Sequence, residues 1–487
     1  MNGMSAQIKF GTSGWRAIIA EEFTYANVKR AVDGIAHYIR STHPAHPSIS
    51  PTLLVDPTLL VGYDTRFLSE NFAVRTAQTL AGHGIATLLS QKAAPTPALA
   101  YEIRRRKTDG GINFTASHNP AEYNGIKFST ANGAPALPEV TRQIESAILN
   151  PPITSLPAAA ASVEKVDLRP AYLDDLSRKV NLDLIRASGL RMVYDPLYGA
   201  GQGYLDQVLS QAGIPLVTIH GWRDVLFGGH PPEPAEEYLS ALKQAMTEKG
   251  AALGLSTDGD ADRFGILDQG GEFIPPNHII ALLLDYLIES RPWAREAGWG
   301  GGVARSVATT HMVDAVARHH GLPVHETPVG FKYIGELIEQ DRIVLGGEES
   351  AGLTIRGHVP EKDGILTCLL TAEMVASRKA SLHQQIEELF RKVGSFYPSR
   401  WNVPLTETVK NSFAERSRQE YSSFEGRLVR QTKRTDGLKL ILEDGSWVLF
   451  RLSGTEPVCR LYCEAHSPAE LEKLAQAARR FLFNGNS

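Results

Sequence analysis

Apolar positions follow two alternating rhythms along this chain: short, nearly unbroken runs, and longer stretches with helical spacing. Residues 25–40 carry apolar side chains at three- and four-residue intervals, which predicts an amphipathic helix. A proline-rich stretch, Ser41 to Pro57, reads as an exposed loop. Beyond it the rhythms interleave: strand Leu59–Tyr63, helix Glu70–His83, strand Ala86–Leu89, helix Pro97–Arg106, strand Gly111–Phe114. Strands alternating with helices of this length predict βαβ units and a parallel sheet. Pro151 to Val163, rich in Pro, Ala and Ser, reads as a linker.

The pattern then restarts twice. The first restart runs Arg191–Tyr194, a helix over Tyr204–Ala212, Pro215–Ile219 and Ala252–Ser256; the second runs Gly302–Ala304, Thr309–His319, Val324–Glu326, Phe331–Glu339 and Ile343–Leu345. Residues 381–392 read as an amphipathic connecting helix. Past about residue 395 the grammar changes. Leu438–Leu442 and Trp447–Arg451 flank Asp444-Gly445, a hairpin signal, followed by a strand Cys459–Glu464 and a helix Pro468–Phe483. The expected architecture is three related α/β domains with mixed or parallel sheets (1–150, 164–270, 271–390) and a C-terminal α+β domain (395–487).

Composition narrows the function without choosing it. At 487 residues the chain exceeds what one core of about 250 to 300 residues holds, so several domains are expected. A net charge of -4 gives no electrostatic footprint for nucleic acid or an anionic membrane. Met1 to Lys9 has no apolar segment of the secretory kind, and the longest apolar run, Ile279 to Ile288, contains Asp285 and is too short to span a bilayer. Three cysteines (Cys368, Cys459, Cys463) form no CxxC pair and read as core residues. The expected location is cytoplasmic. The sequon Asn113-Phe114-Thr115 falls in a buried strand and is set aside.

Chemistry concentrates in four loops. Thr115-Ala116-Ser117-His118-Asn119-Pro120 follows a buried strand, and Asn119-Pro120 stops regular structure there. Ser117 is thus expected on a tight turn at a strand's C-terminal end, where open α/β sheets bind ligands. Alone, this stretch suits a polar surface turn better; the other loops reverse that. Asp258-Gly259-Asp260-Ala261-Asp262-Arg263 places three carboxylates at alternate positions past another strand, a repulsive arrangement that a hard divalent cation relieves. An EF-hand would need glycine sixth and glutamate twelfth from Asp258, where Arg263 and Gln269 stand.

Arg451-Leu452-Ser453-Gly454-Thr455-Glu456-Pro457, with Arg460 beyond it, offers the hydroxyls, amides and guanidinium groups a phosphate dianion needs, although a hairpin end with incidental arginines fits equally well alone. Gly346-Gly347-Glu348-Glu349-Ser350-Ala351-Gly352 follows a strand and can approach a ligand closely, with Glu and Ser to grip hydroxyls. Thr327-Pro328-Val329-Gly330-Phe331-Lys332 presents another cation. Tyr198-Gly199-Ala200-Gly201-Gln202-Gly203 departs from the dinucleotide spacing and reads as a close strand–helix turn, and Gly-x-Ser-x-Gly is absent.

Together these loops resemble the α-D-phosphohexomutases, the phosphoglucomutases and phosphomannomutases. The likeness runs from Phe10-Gly11-Thr12-Ser13-Gly14-Trp15-Arg16 to the Arg451 loop, nearly the whole chain. It implies four domains around a central cleft, Ser117 carried as phosphoserine, and Mg²⁺ held by Asp258, Asp260 and Asp262 beside it, with Ser117 completing the metal site. It implies proton transfer by Lys127 of Tyr123-Asn124-Gly125-Ile126-Lys127, and places His118, Arg263 and Arg16 around the transferred phosphoryl group. Lys332, Glu348 and Ser350 would face the sugar; Arg451, Ser453, Gly454, Thr455 and Arg460 would grip the phosphate that is not transferred.

The implied reaction moves a phosphoryl group from Ser117 to a sugar phosphate, and glucose 1,6-bisphosphate is its intermediate and activator. Charge neutralisation and positioning dominate such chemistry. Lys127 could act as a base only with a lowered pKa, which neighbouring cations would favour. Gly-Glu-Glu-Ser looks more like the phosphoglucomutase side of the family; mannose-preferring relatives usually carry Gly-Glu-Met-Ser and glucosamine mutases Gly-Glu-Gln-Ser. The expected partner is a small sugar phosphate, with neither nucleic acid nor membrane, in a monomer or dimer. A mannose or dual-specificity mutase, a bisphosphate synthase and a phosphatase remain alternatives; the distal clamp argues against hydrolysis. A catalytically silent relative should have lost Ser117 or an aspartate, and neither is lost.

Overall fold

The computed structural model describes residues 8–11, 14–42, 57–151, 160–296, 299–453 and 458–484. Contacts divide the chain into two compact units: Met1–Pro276 with Gly330–Asp341 and Ser350–Leu382, and Asn277–Val329 with Arg342–Glu349 and His383–Ser487.

The first unit opens on a six-stranded sheet: β1 (Trp15–Ile18), β2 (Thr58–Tyr63), β3 (Ala86–Ser90), β4 (Gly110–Phe114), β5 (Tyr123–Thr130) and β6 (Val163–Val166), in the order β1-β5-β4-β2-β3-β6. The three strands that the apolar runs predict, β2, β3 and β4, are parallel, and β4 is buried throughout. The edges make the sheet mixed. β5 runs antiparallel to β4, and β1 antiparallel to β5, so Arg16 and Lys127 stand on strands. β1 pairs with β5 across more than 100 residues, and its short segment gives no periodicity to reveal it. Val163 opens β6 beside β3, so the expected linker ends before it; residues 152–159 of that linker and 43–56 of the proline-rich loop lie outside the described residues.

Helices α1 (Tyr25–Thr42), α2 (Ser69–Gly82), α3 (Thr96–Arg106) and α4 (Pro138–Leu149) cover this sheet. α1 owes its helix to Val28, Ala31, Val32, Ile35 and Ile39, all buried at helical spacing in one core with Phe72, Ile112 and Phe114. α3 starts cleanly because Pro97 lacks only an amide that a first turn leaves unpaired anyway.

A second sheet of the same unit holds β7 (Met192–Asp195), β8 (Leu216–Thr218), β9 (Leu253–Thr257), β10 (Phe264–Leu267) and β11 (Phe273–Ile274), in the order β11-β10-β9-β7-β8. β7, β8 and β9 are parallel, while β10 returns antiparallel to β9, leaving the aspartate loop as the β9–β10 connection. The glycine-rich Tyr198–Gly203 segment is the close turn its spacing predicts, with Ala200 N donating to Gly259 O at 2.9 Å. Helix Gly364–Arg378, apolar on nearly every side and capped by Asp363 Oδ1 on Leu366 N at 2.8 Å, is buried in this unit.

In the second unit, β12 (Gly302–Ser306) pairs in parallel with β13 (Val324–Thr327) and β14 (Ile343–Glu348). The C-terminal sheet is antiparallel, as the Asp444-Gly445 signal predicts. Its strands are β16 (Tyr397–Pro404), β17 (Ser423–Phe424), β18 (Arg427–Lys433), β19 (Leu438–Leu442), β20 (Trp447–Leu452) and β21 (Val458–Ala465), in the order β16-β21-β20-β19-β18-β17; β15 (Gly352–Ile355) belongs to the first unit. The three cysteines are free and buried. Among the described residues no helix is long and apolar enough to cross a membrane.

One ion network in this second unit makes a pH prediction. Burial would raise the Glu326 carboxyl, but Arg305 at 2.7 Å and Lys433 at 2.8 Å outweigh it and hold it down at about 2, from an ordinary 4.5. A depressed folded-state pKa contributes stability that is complete above the unfolded value and disappears as pH falls through the folded one. Between pH 4.5 and about 2 the wild-type melting temperature should therefore fall more steeply than that of Glu326→Gln. Parallel acid profiles would show that the pair contributes nothing.

Candidate active site

Ser117 sits just past the C-terminal end of β4, in left-handed backbone conformation at φ 54°, which an L residue adopts only when its surroundings hold it there. The surroundings are explicit. Ser117 N donates to Thr115 Oγ1 at 2.9 Å, Thr115 N to Gly125 O at 3.1 Å, and Asn119 N to Ala116 O at 3.1 Å. Beneath the loop lies the fully buried guanidinium of Arg66. Its Nη2 donates to the carbonyls of Ser117 (2.6 Å) and Asn119 (2.5 Å), and its Nη1 to those of Pro120 (2.7 Å) and Tyr123 (3.1 Å). Asp64 pairs with Arg66 Nε at 3.2 Å.

The aspartate loop meets this turn directly. Ser117 Oγ donates to Asp258 Oδ2 at 2.6 Å, and the other oxygen of that carboxylate accepts from Arg263 N at 3.0 Å. Asp258, Asp260 and Asp262 are buried and can each offer an oxygen within 4.8 Å of the others. On Asp260 and Asp262 the Oδ2 atoms are taken: Lys127 Nζ reaches them at 2.5 and 2.6 Å, and Lys362 Nζ reaches Asp262 Oδ2 at 2.9 Å. Their Oδ1 atoms are buried without a hydrogen-bond partner. Buried carboxylate oxygens without a hydrogen bond are costly, and an all-oxygen set is what a hard divalent cation takes. The residues fit such an ion.

Contact between the two loops is close enough to exclude any side chain at Gly259, where a Cβ would lie 2.4 Å from the Ser117 carbonyl oxygen. Gly259→Ala should displace the serine from Asp258 and lower kcat by about 10²-fold, since misplacement by an ångström costs that much. Full activity in this variant, measured beside its melting curve, would show that the two loops need not touch.

The electrostatics correct one expectation. Burial would lower the Lys127 ammonium's pKa, but Asp260 and Asp262 raise it above the ordinary value, so carboxylates rather than cations dominate its surroundings. The lowered pKa that a basic Lys127 would need is therefore not what its surroundings produce. Asp258 is pushed well up by burial and by Asp260 and Asp262, whereas Asp262, which burial would also raise, is brought down by Lys127, Lys362 and Arg263. His118, whose Nδ1 lies 3.3 Å from Ser117 Oγ, is driven well below its ordinary value by burial, Arg263 and Arg16, and is neutral at physiological pH. Arg16 Nη1 donates to Asn119 Oδ1 at 2.7 Å.

Ser117, His118, Lys127, Arg16, Arg263 and the three aspartates thus converge. Of the other expected residues in this unit, Lys332 and Ser350 make no described contact with these. Lys332 lies in the first turn of helix Phe331–Glu339, half-buried, and Ser350 stands on a turn of the same unit. Glu348 ends β14 in the second unit. There Arg451 and Arg460 face each other across β20 and β21, Arg451 Nε donates to Asp436 Oδ2 at 2.9 Å, and Ser453 N donates to Val458 O at 2.9 Å. Gly454 and Thr455, like Thr12 and Ser13, lie outside the described residues.

Four residues of the site escape the sequence reading. Arg66 stands in Asp64-Thr65-Arg66, just past β2, the strand-end position that should have drawn notice. Lys362 stands in Glu361-Lys362-Asp363, whose alternating charges look like a solvated turn but are buried. Thr96 and Asn113 are neutral and show no signal of charge or spacing.

Successive α/β domains closed by an α+β domain, with a strand-end serine set against a buried aspartate triad, mark the phosphotransferase isomerases. This chain belongs to the phosphoglucomutase/phosphomannomutase family. It matches all four of the family's domain models: α/β/α domain I over residues 7–152, II over 170–271, III over 275–393 and the C-terminal domain over 402–481. A phosphoglucomutase/phosphomannomutase of Thermococcus kodakarensis is 29% identical over 427 residues, 88% of this chain and 90% of its own length. A probable phosphoglucosamine mutase of Methanothermobacter thermautotrophicus is 30% identical, with 98% of each chain covered. The crystal structure of a putative phosphomannomutase from Thermus thermophilus superposes with a TM-score of 0.83 at 32% identity, covering 98% of this chain and all of that one.

Proposed function

We propose that this enzyme interconverts glucose 1-phosphate and glucose 6-phosphate through a phosphorylated Ser117 and a glucose 1,6-bisphosphate intermediate. The observation that carries the reading is Ser117 Oγ, 2.6 Å from Asp258 in a buried triad with two carboxylate oxygens that accept no hydrogen bond. Asp258, Asp260, Asp262 and the group on Ser117 Oγ would hold Mg²⁺, which when bound supplies positive charge against the phosphoryl oxygens.

In the first half-reaction the P–O bond to Ser117 breaks as one forms to a sugar hydroxyl. Net, one proton passes from that hydroxyl to Ser117 Oγ. Lys127, whose ammonium Asp260 and Asp262 hold, is proposed to give a proton to the departing serine oxygen and to regain one from the attacking sugar hydroxyl, so that its charge is restored at the end of the transfer. Neutral His118 can hydrogen-bond a phosphoryl oxygen through a ring N–H, and Arg16 and Arg263 supply fixed charge. The bisphosphate then presents its other phosphate to Ser117, and the same transfer runs in reverse. Arg451, Ser453, Gly454, Thr455 and Arg460 are proposed to hold whichever phosphate is idle, and Lys332, Glu348 and Ser350 the sugar. Glucose is favoured by Gly-Glu-Glu-Ser at Gly347–Ser350.

The test is a mutase assay with Mg²⁺ and a trace of glucose 1,6-bisphosphate. It compares the 1-phosphates of glucose, mannose, glucosamine and ribose while following free phosphate, with an excess of chelator as control. Fastest conversion of glucose 1-phosphate, lost on chelation, is expected. Preference for another sugar would overturn the substrate, and phosphate release without isomerisation would overturn the reaction.

A further inference from the structure

Asp260 is gripped at two points by a neutral residue from another element. Thr96 N donates to Asp260 O at 3.0 Å, and Thr96 Oγ1 donates to Asp260 Oδ2. The direction of that second bond is fixed by a third residue, because Asn113 Nδ2 donates to Thr96 Oγ1 at 2.9 Å. An amide NH₂ group can only give, so the hydroxyl must spend its single proton on Asp260. All three side chains are buried. Asn113 lies directly opposite Lys127 in the β4–β5 register, so both point from the same face of the sheet, one reaching Asp260 through Thr96 and the other directly. Room for Asn113 depends on Gly62, where a Cβ would lie 3.2 Å from Asn113 Oδ1.

The consequence concerns which oxygen stays available. With Oδ2 saturated by Thr96 and Lys127, Oδ1 is the atom of Asp260 left unpaired. Lys127 cannot enforce this alone, since its ammonium is shared with Asp262. Thr96, held by main chain and by Asn113, fixes the carboxylate's rotation. We propose that Thr96, oriented by Asn113, is a positioning residue that presents Asp260 Oδ1 to a divalent cation and sets the affinity of the site for it. This rests on reading the aspartate triad as a cation site. Hydrogen-bond partners that orient a metal-ligating side chain typically change affinity by about 10- to 100-fold when lost.

Isothermal titration of the full-length protein with Mn²⁺ tests this without any turnover. Thr96→Val keeps the shape and removes the donor, and should weaken Mn²⁺ binding by about 10- to 100-fold. Thr96→Ser restores the donor and should bind much as wild type does. Melting curves in chelator show whether the valine variant keeps its fold. If it does not, Asn113→Ala, which leaves the hydroxyl but frees its rotation, should still weaken Mn²⁺ binding. Equal affinity in wild type and in folded Thr96→Val would overturn the positioning role alone. Failure of wild type itself to bind Mn²⁺ would overturn the cation site beneath it.

Discussion

Ser117→Ala is expected to lower turnover by on the order of 10⁴-fold or more, the scale of loss when a nucleophile that carries the transferred group is removed. The alanine variant should also take up no radiolabel from phosphoryl-labelled glucose 1,6-bisphosphate, whereas wild type labels on one site. Its fold should survive. The substitution removes the hydrogen bonds of Oγ with Asp258 and with His118 Nδ1, each worth about 1 kcal/mol, and leaves in place the Thr115, Gly125 and Arg66 contacts that shape the turn. A melting curve beside the kinetic measurement separates the two effects. Near-normal turnover in a folded variant, or label retained on another residue, would remove Ser117 from the centre of the mechanism.

What the sequence reveals of this site follows the physics of each residue. Ser117 and the three aspartates are legible because their chemistry is local: a proline-stopped turn after a buried strand, and carboxylates at alternate positions that need an external charge. The parallel centre of the first sheet is legible because β2 and β4 are buried on both faces and β3, partly exposed at Ala86 and Leu88, still reads as an apolar run. β1 is not, since its place depends on a pairing with β5 between residues more than 100 positions apart. The charge state of Lys127 is hidden for the same reason. Its own stretch shows only a lysine after an isoleucine, while the carboxylates that set its pKa come from a loop of another sheet. Thr96 and Asn113 carry no local signature at all, because their role lies in a hydrogen-bond direction that only three-dimensional neighbours define.

Arg66→Met should have the second largest effect, on stability as well as turnover. The guanidinium satisfies four main-chain carbonyls on one side and faces Asp64 on the other, with no solvent access. Methionine fills much of the volume but donates nothing. Buried acceptors and a buried carboxylate then lose their partner together, a loss that typically costs about 3 to 5 kcal/mol. Chemical denaturation should show that deficit. Below it lies a kinetic effect: the loop that holds Ser117 at positive φ loses its floor, so the oxygen is no longer held 2.6 Å from Asp258, and kcat should fall by about 10²-fold under conditions where the variant is still folded. Arg66→Lys distinguishes charge from geometry. An ammonium keeps the positive charge beside Asp64 but cannot span four carbonyls with a rigid planar fork, so it should recover much of the stability and little of the turnover. If Arg66→Lys recovers both, the charge alone supports the loop; if Arg66→Met loses neither, the turn is held by Thr115 and Gly125 without help from beneath.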